Sequence, residues 1–251
     1  MLLMDDLKGK ITFIVGGHSG IGHGAAAAFA ARGATVIIGY GHDQSRAESA
    51  CKALRAAGGS ASIEHCDVVD EEMVREAISH IVDRFGGIDI VISAAGATRF
   101  IPLENLDEVT TAIWEEILMT NLVGAWNIAK AAKSALRNSS IGNLVFVGSI
   151  AGLRPSGSSI PYAVSKAGLH HLVRLLARAY GPSVRVNAVA PGTIDTPWME
   201  GHDDMLDYAQ AHSLLGRWGR VDDVADAIVY LGTAPYTTGE ILVVDGGLSL
   251  T

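Results

Sequence analysis

Short apolar runs alternate with longer amphipathic stretches along the whole chain. ITFIV (11–15), ATVIIGY (34–40), SIEHCDV (62–68), IDIVIS (88–93), NLVFVG (143–148), VRVNAV (184–189) and EILVVD (240–245) read as strands. Between them lie stretches with helical periodicity. GIGHGAAAAFAARG (20–33) is Ala-rich, with Gly33 near its C-terminal end, and a helix near 44–57 stops at Gly58-Gly59. Asp70 is a candidate N-cap for a helix reaching about Phe85. A long helical region, with room for an interruption, covers roughly 107–137; another helix starts near Ser159, and a further one spans 222–232. Nearly every strand is apolar at consecutive positions, which requires both faces of the sheet to be covered. The pattern predicts an α/β protein: a doubly wound parallel sheet with helices on both sides. No linker divides the chain, so residues 1–251 read as a single domain. The region 193–220 lacks a strand and is the candidate loop or lid.

The chain has 251 residues, 49% of them hydrophobic and 18% charged, enough for one large core. Its net charge of -8 gives it no general attraction to nucleic acid or to anionic lipid. Cys51 and Cys66 form no C-x-x-C spacing, and two scattered thiols suit a reducing compartment. His170, His171, His202 and His212 show no metal-ligand spacing, so no metal is assigned. The apolar run in MLLMDDLKGK is short and broken by Asp5 and Asp6, and no stretch approaches the ~20 apolar residues of a membrane span. The expected location is cytoplasmic.

Two clusters carry candidate chemistry. The first is Gly16-Gly17-His18-Ser19-Gly20-Ile21-Gly22, between the first strand and the first helix. A glycine cluster alone is only a tight turn. In a strand-turn-helix setting it lets the backbone approach a phosphate, and the helix N-terminus offers free N–H groups and a positive dipole end. The second is Tyr162 with Lys166, an i, i+4 pair on one helix face, preceded thirteen residues earlier by Ser149 at the end of the fifth strand. In a parallel sheet that end faces the ligand crevice. Asn121 lies in the long helical region before that strand.

These residues occur in the order and at the spacings of the short-chain dehydrogenase/reductases, and the G-x-x-x-G-x-G turn resembles that family's. Cys66-Asp67-Val68 resembles its adenine-contacting segment. Ser93-Ala94-Ala95-Gly96 resembles the segment closing its fourth strand. Pro191-Gly192, with Ile194 and Thr196, resembles its nicotinamide-side loop, and TGEILVVDGG its C-terminal signature. The likeness covers roughly residues 8–247, including 3-oxoacyl-acyl-carrier-protein reductase-like members. It implies a Rossmann-like sheet in the order 3-2-1-4-5-6-7 and an NAD(P)-dependent oxidoreductase that moves a hydride between cofactor and a ketone or secondary alcohol. It also implies roles. Tyr162 is the general acid/base. Lys166 lowers the phenol's pKa and bonds the nicotinamide ribose, Ser149 holds the carbonyl oxygen, and Asn121 holds a water linking Lys166 to solvent. The glycine turn, Tyr40, Gly41, His42, Asp67, Val68, residues 93–96, Tyr162, Lys166 and the 191–196 loop would bind the dinucleotide.

Several positions depart from the family pattern. Val15 replaces the usual Thr before the first glycine, and Ser93 the usual Asn. Tyr40 stands about where NAD users carry an acid. Without that charge a 2′-phosphate is not repelled, and His42 and Arg46 are near enough to meet one, so NADP(H) is favoured over NAD(H). Trp198, Met199, Met205, Leu206, Tyr208, Leu214 and Leu215 could form an apolar lid, which suits a small-molecule carbonyl or alcohol substrate with a hydrocarbon part. Arg99 and Arg154 follow the fourth and fifth strands and read as solvated side chains, either able to hold a carboxylate. Arg178 matches one basic position used for carrier-protein docking, whereas Asn127 replaces a second. The resemblance also implies a homotetramer through the helix of Tyr162 and the last strand. The alternative is a cofactor-sensing protein that has lost chemistry. Such a protein would be expected to lack Tyr, Lys or Ser, and this chain keeps all three. An extended-family epimerase or dehydratase would need another glycine spacing and a longer C-terminal domain.

Overall fold

A computed structural model describes residues 7–251; the short apolar run with Asp5 and Asp6 lies outside the described residues. Seven strands form one parallel sheet in the order β3-β2-β1-β4-β5-β6-β7: β1 (Ile11–Val15), β2 (Thr35–Tyr40), β3 (Ser60–His65), β4 (Ile90–Ser93), β5 (Asn143–Val147), β6 (Arg185–Pro191) and β7 (Ile241–Val244). Eight helices accompany them: α1 (Gly20–Ala30), α2 (Gln44–Ala56), α3 (Glu71–Phe85), α4 (Thr111–Leu118), α5 (Gly124–Asn138), α6 (Ile160–Tyr180), α7 (Asp203–His212) and α8 (Val221–Thr233).

The sheet has two cores because successive strand residues point to opposite faces. Phe13, Val91, Leu144 and Phe146 pack with residues of α3, α5 and α6, while Ile14, Ile90, Ile92 and Val145 pack with residues of α1, α2 and α8. That double burial explains the unbroken apolar runs. Side-chain caps fix helix starts: the Asp43 carboxylate accepts from Arg46 N at 2.8 Å, and that of Asp70 from Met73 N at 3.0 Å.

The third strand differs from the sequence reading at both ends. β3 runs over 60–65 rather than 62–68, because it pairs in register with β2 from Thr35↔Ser60 to Tyr40↔His65 and the chain then turns. The region 107–137 is interrupted, as its sequence allows. A 3-10 turn at Leu106–Glu108 precedes α4, and a wide π turn at Met119–Val123 separates α4 from α5. The region 193–220 holds a 3-10 turn, Pro197–Met199, and α7, and its ends meet through a bridge between Ile194 and Gly219.

Candidate active site

The C-terminal ends of the strands open into a cleft of about 1480 Å³. Its floor at β1 is the glycine turn. Gly16 and Gly20 have positive φ (76° and 50°). A Cβ on Gly16 would meet Ala95 N at 2.8 Å, and one on Gly22 would meet Gly16 O at 2.3 Å, so the first turn of α1 sits against the loop with no room for a side chain. The Ser19 side chain caps none of the helix amides, and no acid stands in the first turn of α1. Those free amides and the dipole suit a pyrophosphate. Gly16, His18, Ser19, Gly20 and Ile21 line the cleft; Gly17 lies behind it, its N–H donating to Ile14 O. The Nδ1 of His18 is buried without a partner, and burial, then the nearby Arg46 cation, hold its pKa below the usual histidine value.

At the end of β2, Gly41, His42 and Asp43 line the cleft. Tyr40 does not. Its side chain packs in the core, with its ring 5.2 Å from that of His65, because this strand position points at a covered face of the sheet. Asp67 and Val68 form the neighbouring wall, and His42 Nε2 lies 3.6 Å from Asp67 Oδ2. Asn127 is buried on α5 and donates from Nδ2 to Val68 O at 3.0 Å. It secures the Asp67–Val68 wall from behind and is no part of a docking surface. Ala94, Ala95 and Gly96 line the cleft beyond β4, while Ser93 is buried in the strand.

β5 and α6 bring the second cluster to the same cleft. Ser149 follows β5, its hydroxyl accepting from Ala151 N at 3.1 Å. α6 starts at Ser159, whose hydroxyl accepts from Tyr162 N at 3.4 Å, and Pro161 lies in its first turn. One turn separates Tyr162 from Lys166, whose Nζ lies 5.5 Å from the Tyr162 ring centre and donates to Val147 O at 2.9 Å. Ser149, Tyr162 and Lys166 all line the cleft. The electrostatics depart from the expectation that the lysine pulls the phenol down. Burial pushes the Tyr162 phenol up, opposed only by the Ser149 hydroxyl, and burial pushes Lys166 down to about 8. Desolvation therefore dominates at both groups, and Lys166 stays largely protonated at pH 7.

Asn121 sits in the π turn, buried behind the cleft wall. Its Oδ1 accepts from Ala97 N at 2.7 Å, and its Nδ2 donates to Ala97 O at 3.0 Å and Ser165 Oγ at 2.9 Å. It ties the loop after β4 to α6.

Pro191, Gly192, Ile194 and Thr196 line the opposite wall. Beyond them Trp198 lies between Gly96, where a Cβ would be 3.5 Å from its ring, and Tyr162, whose ring centre is 6.4 Å away. Met199, Met205 and Tyr208 also reach the cleft. Leu206, Leu214 and Leu215 do not; Leu214 and Leu215 are exposed and flank Gly247 and Gly246. Arg99 is paired with Glu116 at 2.8 Å, while Arg154 lines the cleft. The sequence reading missed Phe100, Thr120, Leu248 and Ser249, which also line it. Thr120 adjoins a residue already singled out; Phe100 lies in a loop and Leu248 and Ser249 in a single 3-10 turn, whose direction no periodicity signals. Among the described residues no group of three or more His, Cys, Asp or Glu side chains could hold a metal, and no helix is long and apolar enough to cross a membrane.

A family model described as Enoyl-(Acyl carrier protein) reductase matches residues 15–249. The "Granaticin polyketide synthase putative ketoacyl reductase 2" of Streptomyces violaceoruber is 40% identical over 98% of this chain and 98% of its own length. The 3-oxoacyl-[acyl-carrier-protein] reductase FabG of Thermotoga maritima is 32% identical over 96% of this chain and 98% of its own. A short chain dehydrogenase from Burkholderia cenocepacia, solved in complex with NADP, superposes with a TM-score of 0.87 at 30% identity, covering 96% of this chain and 98% of that one. With the glycine turn, the sheet order and the Ser149–Tyr162–Lys166 cluster all in place, the chain belongs to the short-chain dehydrogenase/reductase family.

Proposed function

We propose that this NAD(P)-dependent oxidoreductase interconverts a ketone and a secondary alcohol, with Ser149, Tyr162 and Lys166 as its catalytic residues and NADP(H) as the preferred cofactor. The observation that carries the reading is the convergence of those three side chains on one cleft whose other end is the glycine turn. A bound nicotinamide supplies or accepts the hydride at the substrate carbon. The residues handle charge and protons. In the reducing direction the Ser149 hydroxyl donates to the carbonyl oxygen, and Tyr162 gives that oxygen its phenolic proton as negative charge develops there. In the oxidising direction the phenolate takes the proton back, and the Lys166 ammonium favours the phenolate. The amide of Asn121 is engaged by Ala97 and Ser165, so we assign it to positioning rather than to holding a water.

The end of β2 supports the preference for NADP(H). Tyr40 offers no charge, the Asp43 carboxylate is engaged in capping α2, and His42, which lines the cleft, and Arg46, close enough to act on His18, are the side chains that would meet a 2′-phosphate. Phe100, Trp198, Met199, Met205 and Tyr208 make the substrate end apolar, which suits a small molecule with a hydrocarbon part. The chain reads as one domain whose segment 193–220 acts as the lid. Trp126 on α5, Val164 and Leu175 on α6 and Val243 on edge strand β7 are exposed apolar residues that a homotetramer would cover. Two buried free thiols accord with a cytoplasmic enzyme. The test is NADPH oxidation with a panel of ketones, parent beside Tyr162→Phe. Loss of the acid/base group is expected to slow turnover ~100-fold or more; equal rates would refute the assignment.

A further inference from the structure

The proposed mechanism leaves the buried imidazole of α6 without a task. His170 lies one turn beyond Lys166, so Tyr162, Lys166 and His170 follow one another along a helix face. The residue is 1% exposed, and neither ring nitrogen has a well-formed hydrogen bond, the Gly152 backbone coming nearest to one. Such a ring costs stability compared with an aliphatic side chain of similar size. The lack of well-formed bonds also argues against a proton relay through it.

We propose that His170 is a positioning residue, the support on which the Ser149 loop rests. The inference depends on the role given to Ser149 above. The imidazole fills a gap that two glycines leave open. A Cβ on Gly148 would lie 2.4 Å from Nε2, and one on Gly152 would lie 2.8 Å from Cε1. Those glycines bracket Ser149, one residue before it and three after. A Cβ on Gly152 would also meet the Lys166 carbonyl carbon at 2.6 Å, so the loop is pressed onto the α6 backbone with the ring wedged beneath it. The size of the ring therefore sets the height of the serine hydroxyl relative to Tyr162 on the same helix. The ring is neutral there. Burial, then Lys166, then Arg174 push its pKa down to about 4, against the opposing pull of the Gly152 backbone. The wedge thus places no second cation beside Lys166.

The test compares His170→Ala and His170→Leu in the full chain. Tyr162 ionisation is read from tyrosinate absorbance as the difference from Tyr162→Phe. NADPH affinity is read by fluorescence, and kcat and KM with a ketone the parent reduces. Because a shift of ~1 Å at a reacting group costs about 100-fold in rate, His170→Ala is expected to lower kcat at least ~10-fold with NADPH affinity unchanged. Its Tyr162 titration moves upward as the Ser149 contact is lost. Leucine refills the space and is expected to recover most of kcat and the parental titration. If His170→Ala does not fold, His170→Val carries the same comparison; if no ketone is turned over, the titration decides. Parental kcat and titration in His170→Ala would overturn the proposal, as would equal impairment in His170→Ala and His170→Leu. A fully active Tyr162→Phe would instead overturn the reading of the site itself.

Discussion

Replacing Lys166 by methionine is expected to stabilise the cofactor-free protein. The ammonium is 4% exposed, and burial lowers its pKa from 10.5 to about 8. Below pH 8 the group is protonated in both folded and unfolded states, so the folded state bears the full desolvation cost. Between about 8 and 10.5 the unfolded chain holds more protons, and stability climbs with pH; above 10.5 the cost is gone. At ~1.4 kcal/mol per pKa unit the cost at pH 7 is about 3 kcal/mol. Methionine keeps the unbranched stem but loses the bond from Nζ to Val147 O, worth ~1 kcal/mol. The net gain is about 2 kcal/mol at pH 7, or roughly 4–8 °C in Tm. Urea unfolding of parent and Lys166→Met at fixed protein concentration, at several pH values from 7 to 10.5, measures it. The reasoning fails if the variant is no more stable than the parent at pH 7, or if the gap does not shrink as pH rises.

Two further outcomes test the cofactor end. Gly22→Ala places a methyl 2.3 Å from Gly16 O, so α1 or the turn must move, and NADPH affinity measured by fluorescence titration should fall ~10-fold or more, about 1.4 kcal/mol; parental affinity would contradict the close approach. If NADP(H) is held as proposed, Arg46→Ala should weaken NADPH ~10-fold while leaving NADH within about two-fold, the loss of a charge-assisted bond to phosphate; equal weakening of both cofactors would refute the role proposed for Arg46.

The alternation of apolar runs with helices identified every strand of the sheet because both faces are covered, and the same covering hid which way single residues point. In β2 all of Val36–Tyr40 is buried, so nothing in the sequence says that Tyr40 turns into the core while Gly41 and His42 reach the cleft. β3 starts two residues earlier than its sequence suggests because Ser60 and Ala61 lack a strand-like side chain; their place comes from pairing with Thr35 and Val36. Tyr162, Lys166 and Ser149 were legible because helix spacing and a strand end are local facts. The task of Asn121, a π turn joining Ala97 to Ser165, is a contact across 44 residues of sequence and left no local trace. Leu214 and Leu215 read as lid residues only by their hydrophobicity; in a segment without periodicity, hydrophobicity does not give direction.

The start of α6 carries a last consequence. Ser159 and Pro161 define where that helix begins, so the rotational phase of the phenol and the ammonium is set from within the helix. The exposed stretch just before it, Leu153–Gly157, ends at Ser158, whose carbonyl is held by Ile101 N at 2.8 Å. Insertions or exchanges upstream of that anchor can reshape one rim of the cleft, Arg154 included, without turning the reacting groups. The architecture thus leaves this rim free to diversify while the phenol and the ammonium beneath it keep their places.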